Sequence, residues 1–284
     1  EAGELTIAQP PERITSTSPS LTGILLAIDA PLTSAAATAV GPLTDDKGFF
    51  RQWAAAADAR GVTVLYPNLQ FDIEALISAA PDLVVASSTG GDSGLDYMAQ
   101  LDAMGIPAIA LNYADQSWQD MARLLGRATG RESQAETAIA DFDAYSADAA
   151  QRIAVPEGSA SIVGYDIGGS YSIGKADSPQ AAILSALGFR IAELPEDLVP
   201  TVTRSSDFDF ISRENLSAAI TGDTVFLLSA DESDVAAFLA DPVLANHPAV
   251  VSGQVYPLGI SSFRVDPYSG RQMIDVVLDH LPAQ

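Results

Sequence analysis

Two stretches of the chain share one layout: DIEALISAAPDLVVASS at residues 72–88 and ISRENLSAAITGDTVFLLSA at residues 211–230. Each has a glutamate near its start, then an Ala/Leu/Ile segment typical of a helix, a Pro or Gly break and an apolar run typical of a strand. The glutamates, Glu74 and Glu214, are 140 positions apart in a chain of 284 residues. The repeat predicts two similarly built lobes, each with one glutamate at the start of an equivalent helix. It indicates a symmetric partner rather than a catalytic pair.

Strand and helix patterns alternate on both sides of one long helical stretch at residues 117–153. Alternation of this kind is typical of parallel sheets covered by helices. Gly126 and Gly130 weaken the middle of the long stretch, so a bend or two abutting helices are both open. We expect the loops at the carboxyl ends of the strands to face a shared ligand cleft. The predicted α/β organisation is an N-terminal lobe at residues 1–115, a bridging helix at 116–153 and a C-terminal lobe at 154–284.

The composition excludes several classes of function. A net charge of −23 argues against electrostatic binding of the whole chain to nucleic acid or to an anionic membrane. Cysteine is absent, and the only two histidines, His247 and His280, lack metal-ligand spacing, so we expect structural roles for both. No apolar run is long enough to span a membrane. The chain begins at Glu1 without a signal peptide or initiator Met, which suggests a processed or trimmed protein.

Enzyme motifs are missing as well. The sequence has no Gly-x-Ser-x-Gly elbow, no metal-binding histidine pair, no dinucleotide fingerprint and too few histidines for a convincing triad. Carboxylates are so numerous, at 37 Asp and Glu residues, that any chosen pair is uninformative. The sequence therefore favours binding over catalysis.

Two arginines next to aromatic residues are candidate ligand contacts. Arg51 lies in DDKGFFRQW at residues 45–53, which also contains Trp53. Phe263 and Arg264 end GISSFR, just after a predicted strand. Both arginines fall where the cleft is expected, although a surface salt bridge is the alternative for each. At least one aromatic residue of the first segment is expected to pack into the core.

Two loops that follow predicted strands offer further candidates. SSTGGDSG at residues 87–94, with Thr89 and Gly90, could hold an anion or a ligand oxygen through its backbone N–H groups. Its counterpart, DIGGSYSIG, contains Tyr171 as its only large side chain. Arg204 is a third candidate cation.

Several ordered segments give the chain a family resemblance over nearly its whole length. They are TSTSPSLTGILLAIDAP, DDKGFFRQW, STGGDSG, NYADQSWQ, LGFRIAELP, ENLSAAITGDTVFLL and SFRVDPYS. In these the chain resembles the periplasmic binding proteins of ferric-siderophore ABC importers, above all those that bind ferric enterobactin. The resemblance implies the class III periplasmic binding protein fold, two Rossmann-like α/β lobes joined by a long backbone helix.

The resemblance also implies roles for particular residues. Arg51 and Arg264 match basic cleft positions suited to an anionic catecholate, and the aromatic residues would stack on its rings. Glu74 and Glu214 would dock on arginines of a two-fold ABC permease. The siderophore itself would hold Fe(III), so neither a cofactor nor protein metal ligands are expected, and the protein would act as an extracytoplasmic monomer. A lipid anchor would require a cysteine upstream of Glu1.

Other ligands and one other class of function stay open. Where the enterobactin binders carry a tryptophan in the second lobe, this chain has Ile173 or Gly174, with Tyr171 as a possible substitute. The ligand could therefore be a different catecholate, a mixed catecholate or a hydroxamate siderophore, and haem or cobalamin binding uses the same fold. From a different class, a hydrolase could use Ser88 or Thr89 in the strand-end loops.

Overall fold

The computed structural model divides the chain into two compact units. It describes residues 6–7, 9–114, 116–201 and 205–283. Unit 1 consists of Glu1–Asp141 with Asp266–Tyr268, and unit 2 of Phe142–Val265 with Ser269–Gln284. Each unit contains a five-stranded sheet with helices packed around it. Two α/β lobes were predicted from the sequence, and this part of the fold prediction is confirmed.

Unit 1 contains an entirely parallel sheet in the order β3-β2-β1-β4-β5. Its strands are β1 Ile14–Ser16, β2 Leu32–Ala35, β3 Thr63–Val64, β4 Leu83–Ser87 and β5 Ala108–Leu111. Its helices are α1 Pro19–Ala27, α2 Arg51–Ala59, α3 Ile73–Ala79, α4 Leu95–Ala103 and α5 Trp118–Thr129, followed by α6 Glu132–Ala150, which begins in this unit. β1 and β4 are buried along their whole length, as strands covered on both faces must be.

Unit 2 contains a mixed sheet in the order β10-β9-β6-β7-β8. Its strands are β6 Ala160–Ile167, β7 Ser170–Gly174, β8 Phe208–Ile211, β9 Thr224–Leu227 and β10 Val255–Pro257. Its helices are α7 Pro179–Ala186, α8 Leu216–Ala219, α9 Glu232–Leu239, α10 Pro248–Ser252 and α11 Pro267–His280, the last belonging to this unit from Ser269. β6, β9 and β10 are parallel, whereas β7 runs antiparallel to both of its neighbours.

The repeated sequence corresponds to equivalent positions in the two sheets. α3 follows the edge strand β3 and leads into β4, which pairs with the central strand β1. α8 follows the edge strand β8 and leads into β9, which pairs with the central strand β6. Both helix–strand units therefore make the same crossover from the edge of a sheet to the strand beside its centre. In unit 2 the helix is preceded by a 3₁₀ turn, Arg213–Asn215.

The long helical stretch consists of two helices. Gly130 adopts a left-handed conformation, with φ of 67°, and ends α5 as its C-cap. α6 begins two residues later, and the division between the compact units falls inside it, after Asp141. The sequence left a bent helix and two helices open, and glycine at this cap decides for two helices because it has no Cβ to oppose a positive φ.

Three strands, β2, β7 and β8, were not predicted from the sequence. β2 is short, and β7 and β8 arise from residues read as a glycine-containing loop and an irregular segment. Conversely, the sequence pattern of residues 190–192 predicts a strand, but Ile191 forms only an isolated bridge with Ala160. Whether these segments form strands depends on which neighbouring strand they bond to, and the local sequence does not show which strand that is.

Adjacent residues of α9 provide a test of the unit 2 core. Phe238 is fully buried, whereas Leu239 is 41% exposed. Phe238→Ala should lower the free energy of unfolding by about 3–5 kcal/mol because it leaves a cavity among packed side chains. Leu239→Ala, the matched control, should cost no more than about 0.5 kcal/mol. Urea unfolding followed by circular dichroism measures both, and equal effects would contradict this packing.

Candidate functional site

A buried carboxylate joins three loops at the carboxyl edge of the unit 1 sheet. Asp92, which is 7% exposed, accepts hydrogen bonds from Ser18 Oγ at 2.5 Å, from Ser20 N at 3.3 Å and from Tyr113 Oη at 2.7 Å. Ser18 follows β1, Tyr113 follows β5, and Asp92 itself lies in the loop after β4. A buried carboxylate is stable only when such donors surround it, so this bonding fixes the relative positions of the three loops.

The hydroxyl group of Ser87, the last residue of β4, further shapes the loop that follows. Ser87 Oγ donates to Thr89 O at 2.6 Å and accepts from Thr89 N at 2.9 Å. The amide of Thr89 is therefore already used within the loop. Gly90 is exposed and has a φ of +77°. Neither histidine belongs to unit 1, so no imidazole base of this unit stands beside Ser88 or Thr89.

Three aromatic rings, which the sequence did not single out, form a cluster near this edge. Phe71 and Tyr97 stack in parallel, with ring centroids 3.6 Å apart and an interplanar angle of 6°. Tyr66 meets Phe71 edge-on at 5.9 Å. Burial raises the pKa of the Tyr66 hydroxyl, against the opposing effect of a hydrogen bond with Thr17. Tyr66 and Phe71 flank a turn after β3. This spacing is the one local feature of the sequence that could have pointed to the cluster.

Arg51 is the first residue of α2 and is exposed. Its Nε donates to Thr44 O at 2.9 Å, and its amide donates to Leu43 O at 3.0 Å. No carboxylate of the described residues forms an ion pair with it, so the predicted alternative of a salt bridge is not realised within that part of the chain. The guanidinium is thus oriented by the backbone and keeps further donors for another group.

Trp53 requires a correction. The sequence suggested that its ring contacts a ligand, but the side chain is fully buried, with its centroid 5.2 Å from that of Phe49 and 6.0 Å from that of Phe50. Trp53 lies on the inner side of α2, two residues after Arg51, and so faces the core. The alternative reading, in which an aromatic residue of this segment packs inside, holds for Trp53.

In unit 2, the two faces of β7 and β8 separate the aromatic candidates. Side chains alternate along a strand, and the pairs Ser172↔Phe210 and Gly174↔Phe208 share one face. Phe263 stacks on Phe208, with centroids 5.7 Å apart and an interplanar angle of 10°. Phe263 is 44% exposed and Phe210 is 37% exposed. Phe210 was not identified from the sequence, because β8 itself was not predicted.

Tyr171 points to the opposite face of the same strands. It pairs with Ile211, packs on the buried apolar cluster beneath α8 and α9, and lies 5.6 Å from Tyr165. The expectation that Tyr171 substitutes for the tryptophan of the enterobactin binders is therefore corrected, because its side chain lies on the face opposite Phe208 and Phe210. A one-residue step along a strand reverses the direction of a side chain, and the sequence did not show that this segment is a strand.

Phe263 and Arg264 are presented by a firmly bonded 3₁₀ turn, Ile260–Phe263. The buried Gln180 donates from Nε2 to Ser262 O at 2.9 Å and to Phe263 O at 3.0 Å. Ser269 Oγ donates to Arg264 O at 2.7 Å. The backbone of both residues is thereby fixed, and Arg264 is half-buried. Arg204, the third predicted cation, lies outside the described residues.

The paired glutamates are exposed in both units. Glu74 lies in the first turn of α3, where the Asp72 carboxylate caps the helix by accepting from the amides of Glu74 at 2.9 Å and Ala75 at 3.0 Å. Glu214 lies in the 3₁₀ turn before α8. Its own backbone N–H and the Ser212 hydroxyl lower the pKa of the Glu214 carboxyl, which is ionised at neutral pH.

Features of metal enzymes and membrane spans are also absent from the described residues. These residues contain no group of three His, Cys, Asp or Glu side chains that could hold a metal ion. Within the same part of the chain, no helix has the length and hydropathy needed to cross a bilayer. His247 and His280 bond to Ile220 O and Val276 O respectively, which agrees with structural roles.

The chain belongs to the periplasmic binding protein family, whose model matches residues 14–260. It is a binding protein and not an enzyme, and its family places it outside the cytoplasm. It is 40% identical over 277 residues to the ferric enterobactin-binding periplasmic protein FepB of Escherichia coli O6:H1, covering 96% of this chain and 86% of that protein.

Solved structures agree with this assignment. Holo-ViuP has a TM-score of 0.87 and 36% identity, with 97% of this chain and 90% of that chain covered. SirA of Staphylococcus aureus has a TM-score of 0.71 at 17% identity, covering 94% of this chain and 97% of that chain. The second likeness supports the fold alone.

Neighbouring glycines test the loop after β4. A Cβ at position 90 would lie 2.0 Å from Tyr113 Oη, whereas one at position 91 would meet nothing within 4 Å. Gly90→Ala should cost about 1–3 kcal/mol of stability, from strain at positive φ and from displacement of the Tyr113–Asp92 bond. Gly91→Ala should be nearly neutral. Thermal unfolding compares the two, and an equally mild Gly90→Ala variant would contradict the loop geometry.

Proposed function

We propose that the protein captures a ferric siderophore, a catecholate of the enterobactin type, outside the cytoplasm and delivers it to an ABC permease. The identity with the ferric enterobactin-binding protein extends over 96% of this chain and supports a ligand of the same chemical class. The structural observation that carries the proposal is Arg51, an exposed arginine that forms no ion pair with the described carboxylates in a chain of net charge −23.

The proposed ligand contacts combine cations with aromatic surface. Arg51 and Arg264 would offset the negative charge of the ferric catecholate complex, and Phe263 would stack on a catechol ring. Thr89 and Gly90 lie in a loop at the same sheet edge as the start of α2. They therefore remain among the proposed ligand contacts, with the exposed surface of the loop as the part that touches the ligand. Arg204 stays among them only as a candidate cation predicted from the sequence.

Iron enters this proposal as cargo. The siderophore oxygens would fill the coordination sphere of Fe(III), so the protein would recognise the outer surface of the complex and needs no metal ligands or cofactor. A hydroxamate siderophore, haem or cobalamin remain alternative ligands of the same fold. The exposed aromatic and cationic side chains favour a catecholate, because its rings offer both a π-face and negative charge.

Removal of the two arginines tests ligand capture. Arg51→Ala and Arg264→Ala should each weaken ferric enterobactin binding about 10-fold or more, because each removes a charge-assisted contact of about 1.5–3 kcal/mol. Arg127→Ala, at another exposed arginine, is the matched control and should bind normally. Titration monitored by tryptophan fluorescence gives the affinities, with a ferric hydroxamate and haem as competing ligands.

Saturable catecholate binding that survives both arginine substitutions would remove these residues from the site. Tight hydroxamate or haem binding with no response to ferric enterobactin would instead assign another ligand. Ester hydrolysis that disappears on changing Ser88 or Thr89 would favour the hydrolase alternative and contradict the proposal.

Glu74 and Glu214 are the proposed contacts with the permease. Both are exposed, and both stand at the start of the crossover from an edge strand to the strand beside the centre of its sheet. One monomer with two such glutamates suits a partner with two-fold symmetry. The nearby helix ends offer a sufficient structural reason for acidic residues, so only a functional measurement separates the two explanations.

Isosteric substitutions test docking. Glu74→Gln and Glu214→Gln should leave ferric enterobactin affinity unchanged but raise, about 10-fold each, the concentration of loaded protein that half-stimulates ATP hydrolysis by the cognate importer in nanodiscs. Glu157→Gln, at an exposed glutamate of unit 2, is the control. Normal stimulation by the Glu74/Glu214 double variant would show that docking uses other residues.

A further inference from the structure

A second buried carboxylate, in unit 2, bonds to Arg213, the chain neighbour of Glu214. Asp241 is 4% exposed. It accepts hydrogen bonds from Tyr165 Oη at 2.8 Å, from Arg213 Nη2 at 3.0 and 3.1 Å and from Val243 N at 3.0 Å. We call Tyr165, Arg213 and Asp241 the Asp241 cluster. Its carboxylate is fully bonded, as a buried charge must be if it is to persist in the folded protein.

The hydrogen bonds of the Asp241 cluster favour an ionised Asp241 and a neutral Tyr165. Desolvation alone would raise the pKa of Asp241, but the hydrogen bonds from Tyr165, from Val243 N and from Arg213 outweigh it and leave the pKa below its usual value. Burial and the hydrogen bond to Asp241 raise the pKa of Tyr165 to about 12. At neutral pH the tyrosine is therefore a donor and the aspartate an anion.

The Asp241 cluster is attached to the core of unit 2. The Tyr165 ring packs edge-on against Phe238, with centroids 5.1 Å apart, and against Tyr171 at 5.6 Å. Phe238 is fully buried. The position of the Asp241 carboxylate is thus set by packed aromatic rings, and through it the Arg213 guanidinium is held near the rigid part of the unit.

Arg213 is the immediate chain neighbour of Glu214 in the same 3₁₀ turn, and its side chain is 52% exposed. A free guanidinium at this position would oppose the negative potential of Glu214, because the two charges would lie within the screening length of about 8 Å at physiological ionic strength. Asp241 supplies the compensating charge. Arg213, Asp241 and Glu214 together carry a net charge of −1. Of the two carboxylates, Asp241 is buried and Glu214 is exposed.

We propose that Asp241 is a positioning residue for docking: it holds Arg213 and offsets its charge, so that Glu214 and its surroundings present a net negative charge to a cationic surface of the permease. This inference rests on the proposed docking role of Glu214. It also explains why a cation next to the docking glutamate is compatible with recognition by arginines. A purely structural ion pair would have the same geometry, so the test must use a readout that stability alone does not move.

The test compares four forms of the full chain loaded with ferric enterobactin: wild type, Asp241→Asn, Arg213→Ala and the double variant. The quantity measured is the concentration that half-stimulates ATP hydrolysis by the cognate importer. Asp241→Asn should raise it about 3- to 5-fold, the size of an exposed charge effect. Arg213→Ala should stay within about 2-fold of wild type. The double variant should resemble Arg213→Ala, because removal of the cation removes the need for its counter-charge.

Rescue by Arg213→Ala, together with loss of the Asp241→Asn effect at high ionic strength, would support the proposal. The proposal would be overturned if Asp241→Asn half-stimulated ATP hydrolysis at the same concentration as wild type. It would also be overturned if the double variant required as high a concentration as Asp241→Asn. Glu214→Gln separates the levels of inference: if that variant docks normally, the docking role fails and this proposal fails with it. Fluorescence titration of ferric enterobactin tests ligand capture independently of both.

A second variant guards against a folding defect in Asp241→Asn. Asn215→Lys places a new exposed cation on the other side of Glu214 and leaves the Asp241 cluster intact. It should weaken docking by a similar factor, with an unchanged thermal midpoint and unchanged siderophore affinity. Normal docking by Asn215→Lys would contradict the idea that an uncompensated cation beside Glu214 weakens docking.

Discussion

Parallel neighbouring strands cannot be joined by a tight turn, and this constraint organises both units. Each parallel connection needs a crossover, usually a helix, that starts at the carboxyl edge of the sheet and returns to its amino edge. Arg51, the loop of Thr89 and Gly90, and Glu74 all lie in such crossovers of unit 1, and Glu214 lies in one of unit 2. The candidate functional residues therefore collect at strand ends, where the backbone leaves the sheet.

Buried carboxylates then give these edges a defined shape. Asp92 joins the loops after β1, β4 and β5, and Asp241 joins β6 to the turn after β8 through Tyr165 and Arg213. In a chain with 37 acidic residues, most carboxylates of the described residues are exposed. Asp92 and Asp241 are among the few that are buried, and neutral or cationic donors surround both in the interior, where an unpaired charge would be strongly unfavourable.

Particular residues show how far prediction from the sequence reaches. The crossovers through α3 and β4 and through α8 and β9 follow from the repeated helix–strand pattern, and Arg51 was identified from its setting in a chain poor in basic residues. Trp53 and Tyr171 were misplaced, because an aromatic residue beside a candidate ligand contact is not necessarily on the same side of its helix or strand. Phe210 and the Asp241 cluster were missed because they depend on strands and contacts between residues far apart in sequence.

The sequence by itself determined the α/β class, the two-unit organisation, the positions of the exposed glutamates and the family, since each depends on local periodicity or on ordered motifs. Only the tertiary structure decided which side chains are available. It turned Trp53 inward, placed Tyr171 and Phe263 on opposite faces of one sheet, and brought Asp241 to Arg213 across 28 positions of chain. Side-chain direction and non-local pairing follow from packing and strand register, which a linear pattern does not contain.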